Sequence, residues 1–435
     1  MRRLVGTLGL LAAALTLGCA EQLIAPGDCP DFCPNGQIVL VDTVFTTIIT
    51  RDSAYRGYLQ PYQSAQAAAT EIPGVQSRPF FKLAPVPMRV KAVPGSATDT
   101  STVRIFADSS RLRVAIVRKD TAAPNLRVQL YALPLTVDST TTFTDLDPSF
   151  SGPIVDSVNV SDLLTRPLIR DTTLDRALGD SIRTDSAGHV LLIAPADSTY
   201  YLYFSLDTLQ APLTEVDSGR LAFGVRVVAD TAVSVGFGTN ESSTNGPVIE
   251  WFYHFTLTDS VNAKTDSISR VPSFDSFVFD PPNAPLDSNL AIGGAPSARS
   301  LIRVTIPPAL RDSIDVVRAT LLLVPVTPVN GVASDSFHIV ARQVTTDLGA
   351  KSPLGNDAAG SVVIHPGVSD TVRLEITDMV RSWVLLDTLS TTAFMLSPLP
   401  EATSFTEARF YSSLTPAFRP ALHVTFVRRF PFGRP

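Results

Sequence analysis

Five histidines, three cysteines and a large stock of Asp and Ser are the residues through which this 435-residue chain could do chemistry. Their spacing argues against most of it. His189, His254, His338, His365 and His423 stand in no H-E-x-x-H, H-x-H or other metal-ligand spacing. No G-x-S-x-G elbow exposes a serine nucleophile. The acids are overwhelmingly Asp in Asp-Ser and Asp-Thr pairs, where the carboxylate bonds the local backbone of a turn. Paired carboxylates for glycoside hydrolysis are defined by a distance in space that spacing along the chain does not fix. The reading is therefore a protein without catalysis. No cofactor is indicated; calcium at an Asp-rich loop stays open, with no D-x-D-x-D-G run to name its ligands. Cys29 and Cys33, in Asp28-Cys-Pro-Asp-Phe-Cys-Pro34, are expected to close a small disulfide loop in an oxidising compartment. The alternative, a metal site, needs more ligands than stand nearby.

The start of the chain bears on that compartment. Met1-Arg2-Arg3 and the apolar run Leu4 to Leu17 are too short for a permanent spanning helix and read as a removable signal peptide, residues 1–18. The closing Leu15-Thr-Leu-Gly-Cys19 resembles the lipobox of bacterial lipoproteins. That resemblance implies a Cys19 thiol acylated with palmitate-type chains and, with Ala20 in place of Asp, an outer-membrane location, the face of the membrane being left open. Each buried methylene contributes about 0.8 kcal/mol, so two or three chains hold firmly where one does not. Residues 19–38 then form a tether. Net charge is −6, which leaves no electrostatic footprint for nucleic acid. With 45% hydrophobic and 17% charged residues, the body has the material for packed cores.

Those residues must be positioned by β structure. Short runs rich in Val, Ile, Leu, Phe, Tyr and Thr recur between Asp, Ser, Gly and Pro punctuation: Val39 to Thr50, Arg111 to Arg118, Tyr200 to Leu206 and Val248 to Leu257 in the first half, with Leu301 to Ile306, Val316 to Val326, Val372 to Ile376 and Ala421 to Val427 among those of the second. Helical turns are expected only at Ser161 to Leu164 and Asp378 to Val384. Thirty-four prolines must sit in loops, at strand starts or on edges. An internal repeat holds a constant offset of 171: Ile193-Ala-Pro195 with Ile364-His-Pro366, Asp207 with Asp378, Ala222-Phe223 with Ala393-Phe394, Phe255 with Phe426. A duplication explains it. The fold class is all-β, two tandem antiparallel β-sandwich (jelly-roll-like) domains. The first spans 39–258, with an inserted loop or hairpin near 137–188; 259–271 is a linker, 272–428 the second domain and 429–435 a tail.

In the second copy, Asn289-Leu-Ala-Ile-Gly-Gly294, Arg299-Ser-Leu-Ile-Arg-Val-Thr-Ile306, Val317-Arg-Ala-Thr-Leu-Leu-Leu-Val324, Val372-Arg-Leu-Glu-Ile-Thr-Asp-Met-Val-Arg-Ser-Trp383 and Phe410-Tyr-Ser-Ser413 with Arg419-Pro-Ala-Leu-His-Val-Thr-Phe426 resemble, in order, the blocks of DNRLRE-type modules. The resemblance covers about Ser273 to Val427 and implies a jelly roll and carbohydrate binding. Ser412-Ser413-Leu414 replaces the Ser-Arg-Glu of that family, so the fold transfers more directly than the ligand.

Alternation supplies independent support. Val372, Leu374 and Ile376 point inward with Arg373 and Glu375 outward, and Trp383 is expected to plug the end of the sandwich. Trp251, Tyr253 and Phe255 share one strand face, Phe252 and His254 the other, and both faces are expected to be covered. Sugar contacts are assigned to Tyr55, Tyr58 and Tyr62 of the first module and to Arg409 and Tyr411 of the second. The function read from all this is a lipid-anchored, non-catalytic envelope or surface protein that binds polysaccharide. The alternative is a structural or adhesion lipoprotein that contacts other envelope proteins.

Overall fold

The computed structural model describes residues 39–92, 101–120, 123–168, 181–193, 199–257, 263–311, 314–385 and 391–428. The expected signal peptide and tether, with Cys19, Cys29 and Cys33, and the expected tail 429–435 lie outside them. The described residues are mostly antiparallel β. It opens with β1 (Leu40–Phe45) and β2 (Ile49–Arg56), the hairpin β3 (Gln66–Ile72) and β4 (Val75–Leu83), the small ribbon β5 (Arg89–Lys91) and β6 (Thr102–Arg104), then β7 (Phe106–Arg118) and β8 (Arg127–Leu133). After a helix over Phe143–Phe150 come β9 (Ile154–Asn159), β10 (Ser181–Thr184), β11 (Val190–Ile193), β12 (Tyr200–Leu206), β13 (Ala222–Val228), β14 (Val233–Gly238) and β15 (Val248–Thr256). The strands β16 (Ala263–Arg270) and β17 (Pro272–Asp280) lead into β18 (Leu290–Gly293), β19 (Ala298–Val304), β20 (Ile314–Leu323), β21 (Phe337–Val344) and β22 (Leu354–Ile364). Last are β23 (Val372–Glu375), β24 (Ala393–Leu399), β25 (Glu407–Phe410) and β26 (Ala421–Arg428).

Two cores organise these strands. In the first, Leu112, Val114, Leu202, Phe204, Trp251 and Tyr253 from one layer meet Phe81, Val128, Leu130, Phe223 and Val225 from the other. The second packs Leu321, Leu374, Leu422 and Val424 of the sheet β1-β26-β20-β23 against Ile302, Ile339, Phe394 and Phe410 of the sheet β22-β21-β24-β19-β18-β25. Period-two alternation puts every second residue of these strands inside. Trp383 plugs the second core as expected, against the Phe394 ring at 5.9 Å. Trp251 does so in the first and donates its indole N–H to the Ala211 carbonyl at 3.1 Å. A fully buried side chain of this class contributes about 1.5–3 kcal/mol or more. The two short helices fall at Val160–Thr165 and Thr377–Leu385, and β13 and β24 begin at the two members of the Ala-Phe repeat.

The domain boundaries differ from the sequence reading in three ways. Residues 40–56 do not join the first sandwich: β1 pairs with β26 and β2 with β19, so Ile48 and Ile49 belong to the second core. Residues 263–270, read as linker, form β16 on the edge of β15, and β17 pairs with β4; both complete the first sandwich. Alternation of apolar and polar residues fixes which face of a strand is buried but not which sheet receives it. The described residues of 137–188 do not form a free loop either. It adds β9 beside β8 and β10 beside β11, at the two ends of the first unit's sheet path, and the helix Phe143–Phe150 packs Leu146 and Phe150 on Tyr131.

The two units meet in a joint built around a buried carboxylate. Asp335 of the second unit is 1% exposed and receives the Arg118 guanidinium at 2.9 Å and the Ser234 hydroxyl at 2.7 Å from the first, with the Thr406 hydroxyl at 3.1 Å from its own side. Ala67, Ala68 and Phe277 pack on Ala295 and Ala402 beside it.

Candidate functional site

The outward face of the first unit's sheet β12-β7-β15 carries the richest cluster of aromatic and cationic side chains. On β12, Leu202 and Phe204 turn into the core, so Tyr201 and Tyr203 turn out; on β7, Leu112 and Val114 turn in, so Arg111 and Arg113 turn out. On β15, Glu250, Phe252 and His254 alternate with the buried Ile249, Trp251 and Tyr253. Register brings these together. Tyr203 lies opposite Arg113, and Arg111 opposite Glu250.

Arg111 is the hinge of the cluster. Its guanidinium lies 5.6 Å from the Tyr203 ring centre and 5.6 Å from that of Phe252, and is held by the Glu250 carboxylate at 3.2 Å. Arg113 lies 5.2 Å from the Tyr201 ring and donates to the Thr244 and Gly246 carbonyls at 3.1 and 3.3 Å. Tyr201 in turn donates to the Asn245 side-chain oxygen at 2.9 Å. Further along, Phe106 stacks on His254 at 5.6 Å, and Asp108 fixes that imidazole at 2.7 Å. Burial raises the Tyr203 phenol above its ordinary pKa, so it stays a neutral hydroxyl. Cation-backed rings of this kind lose little rotamer freedom on contact, because the guanidinium already holds them. Phe252 is 36% and Phe106 48% exposed. Both faces of β15 were expected to be covered; the Phe252 face is open instead. Rings on β12 and β15 are two strand spacings apart, roughly 10 Å. The array offers flat apolar faces with donors and an acceptor between them.

The sequence-assigned contacts are scattered. Tyr55 and Tyr58 lie in the second unit, not the first, packed on Leu301, Val344 and Met395; Tyr58 donates to the Ala350 carbonyl at 2.6 Å under the Arg299 guanidinium at 4.4 Å. Tyr62 touches Phe274. Arg409 is tied to Glu407 at 2.8 Å and Asp287 at 3.3 Å, and Tyr411 stacks on Phe418 at 4.9 Å. They do not converge on one surface.

One buried cluster was not foreseen. His189 sits in the turn between β10 and β11, 6% exposed, with its Nδ1 2.6 Å from Asp185 and its Nε2 3.0 Å from Asp156 on β9. Burial works against the imidazolium, but hydrogen bonds and charge from Asp156 and Asp185 outweigh it and raise the His189 pKa to about 9. Both ring nitrogens are occupied, which leaves no lone pair for a base or a metal. The cluster is a buckle: it joins the two ends of the first unit's sheet path. Among the described residues no group of three His, Cys, Asp or Glu is placed to hold a metal ion. No described helix is long and apolar enough to cross a membrane.

No family model matches the chain, and no curated protein does. Among solved structures, one titled BspA_C_mut aligns over 91% of this chain and 83% of its own at 11% identity, with a TM-score of 0.09.

Proposed function

We propose that this is a lipid-anchored, non-catalytic envelope protein of the outer membrane that binds polysaccharide through its tandem β-sandwiches. The observation that carries the reading is the row Tyr201, Tyr203 and Phe252, backed by Arg113 and Arg111, on the open face of the first unit. Pyranose rings present flat C–H faces edged with hydroxyls, and the row offers aromatic faces edged with donors and an acceptor. Support for the anchor is the Leu-Gly-Cys19 ending of the apolar leader, and support for a carbohydrate ligand is the likeness of residues 273–427 to DNRLRE-type blocks. The test is a glycan array with the full chain, followed by titration of the best ligand into Tyr203→Ala/Phe252→Ala. At about 1 kcal/mol per aromatic contact, the double variant binds about thirtyfold more weakly. Unchanged affinity would remove this face from the reading, and an array with no glycan bound would turn it toward a structural or adhesion role.

A further inference from the structure

The pairs β1–β2 and β16–β17 are each seated in the other copy of the duplicated sequence. Their equivalence is visible in the contacts. An offset of 223 carries 40–56 onto 263–279, Ala68 onto Ala291 and Ser77 onto Ser300. In both places the serine hydroxyl donates to the alanine carbonyl, at 2.5 Å in the first unit and 2.9 Å in the second. The same offset carries Asp52 of β2 onto Asp275 of β17. Each carboxylate accepts a backbone N–H from the loop before the last strand of the sandwich it closes, Ser413 at 2.7 Å and Asn240 at 2.8 Å. Partner strands match as well: β1 lies on β26 and β2 on β19, as β16 lies on β15 and β17 on β4. The two seats are one kind of seat, and the copies have traded occupants.

Nothing in the seat requires that the donor belong to the same chain. Arg56 meets Glu407 at 2.6 Å and the Pro296 carbonyl at 3.3 Å, and Gly57 N–H donates to Ser297. All of these bonds run between residues 40–58 and the second unit. Only the crossover 57–65 ties the pair to its own first unit. We propose that β1–β2 also dock into a second copy of this chain, closing its second sandwich when copies fold together. Such an exchange keeps the contacts of residues 40–56 with the seat and changes only their connectivity, opening the crossover 57–65, which makes it a low-cost route to association. Within one chain the short crossover gives the pair an effective concentration in the millimolar range, so the monomer prevails when chains fold dilute.

The experiment uses the full chain with Cys19, Cys29 and Cys33 changed to Ser. Val44 lies opposite His423 on the solvent face of the β1–β26 ladder. Antiparallel neighbours have Cα atoms about 4.5–5.5 Å apart, within disulfide range. One copy carries Val44→Cys and the other His423→Cys, with different tags. Refolded together from denaturant and oxidised, they are expected to give a disulfide-linked product bearing both tags. Its ratio to monomer should rise about tenfold with a tenfold rise in concentration, and native proteins mixed without unfolding should give none. A chain with both cysteines should link within itself. If it does, and the two-copy mixture never links at any concentration, docking between copies is overturned. If it does not, the strand exchange is absent and the proposal fails with it.

Discussion

Replacing His189 by Gln should remove a pH-dependent part of the stability that can be worked from the structure. In the folded chain the imidazole is held between Asp156 and Asp185 and protonates at about 9, against 6.5 for a free histidine. Because the folded value is the higher one, the folded state binds the proton more tightly. The stabilisation is therefore fully present below pH 6.5 and is lost as pH rises through 9. At 1.36 kcal/mol per tenfold change in proton affinity, the window is worth about 3 kcal/mol. Asp185 changes in the complementary sense, since burial would raise its pKa but the bonds from His189 bring it below the usual carboxylate value. The assay is urea unfolding of wild type and His189→Gln at pH 6, 8 and 10, with amide exchange followed at β9 and β10. The stability difference between the two proteins should shrink by about 3 kcal/mol from pH 6 to pH 10, and the protection factors at β9, corrected for intrinsic exchange, should fall in the wild type across the same range. Two curves that stay parallel over that interval would refute the buckle.

Further outcomes can be checked by the same unfolding measurement. Asp275 is 6% exposed and burial pushes its carboxyl up to about 7, so it contributes stability present below pH 3.8 and lost as pH rises through 7; Asp275→Asn should flatten that interval. Asp335→Ala strips the half-buried Arg118 of its carboxylate in the joint between the units and should cost about 3 kcal/mol. At Gly360 the strand β22 passes against the Glu375 carbonyl with no room for a Cβ. Gly360→Ala should therefore destabilise by about 1–3 kcal/mol, measured as a lowered urea midpoint.

Much of the fold was legible because β alternation is a local property. The inward set Val372, Leu374 and Ile376, the plug Trp383 and the helix at 377–385 stand where their neighbours in the sequence put them. What required the third dimension was choice of partner. The residues of β1 would look the same whichever sandwich received them, and only the 223-residue offset, broken downstream by the longer first copy, hints at where they go. The aromatic row could have been read: Arg111-x-Arg113 and Tyr201-x-Tyr203 each alternate with core residues, and that spacing alone puts them outward. The expectation that Phe252 is covered failed because a strand with apolar residues on both faces need not have two neighbours to cover it. Asp156, in the stretch read as an insertion, and His189, just past its end, stand 33 residues apart, and nothing local to either marks them as partners.

Because Leu40 lies beside Val427, the described start and end of the chain leave the molecule from the same edge of the same sheet. A tug on anything upstream of residue 39 would be borne by the second sandwich, with the first hanging clear of the line of force. It would peel β1 from β26 one rung at a time, lifting Val41 and Phe45 from the second core before the first core felt the strain. The surface bearing Tyr203 and Phe252 belongs to the other sandwich and would keep its shape.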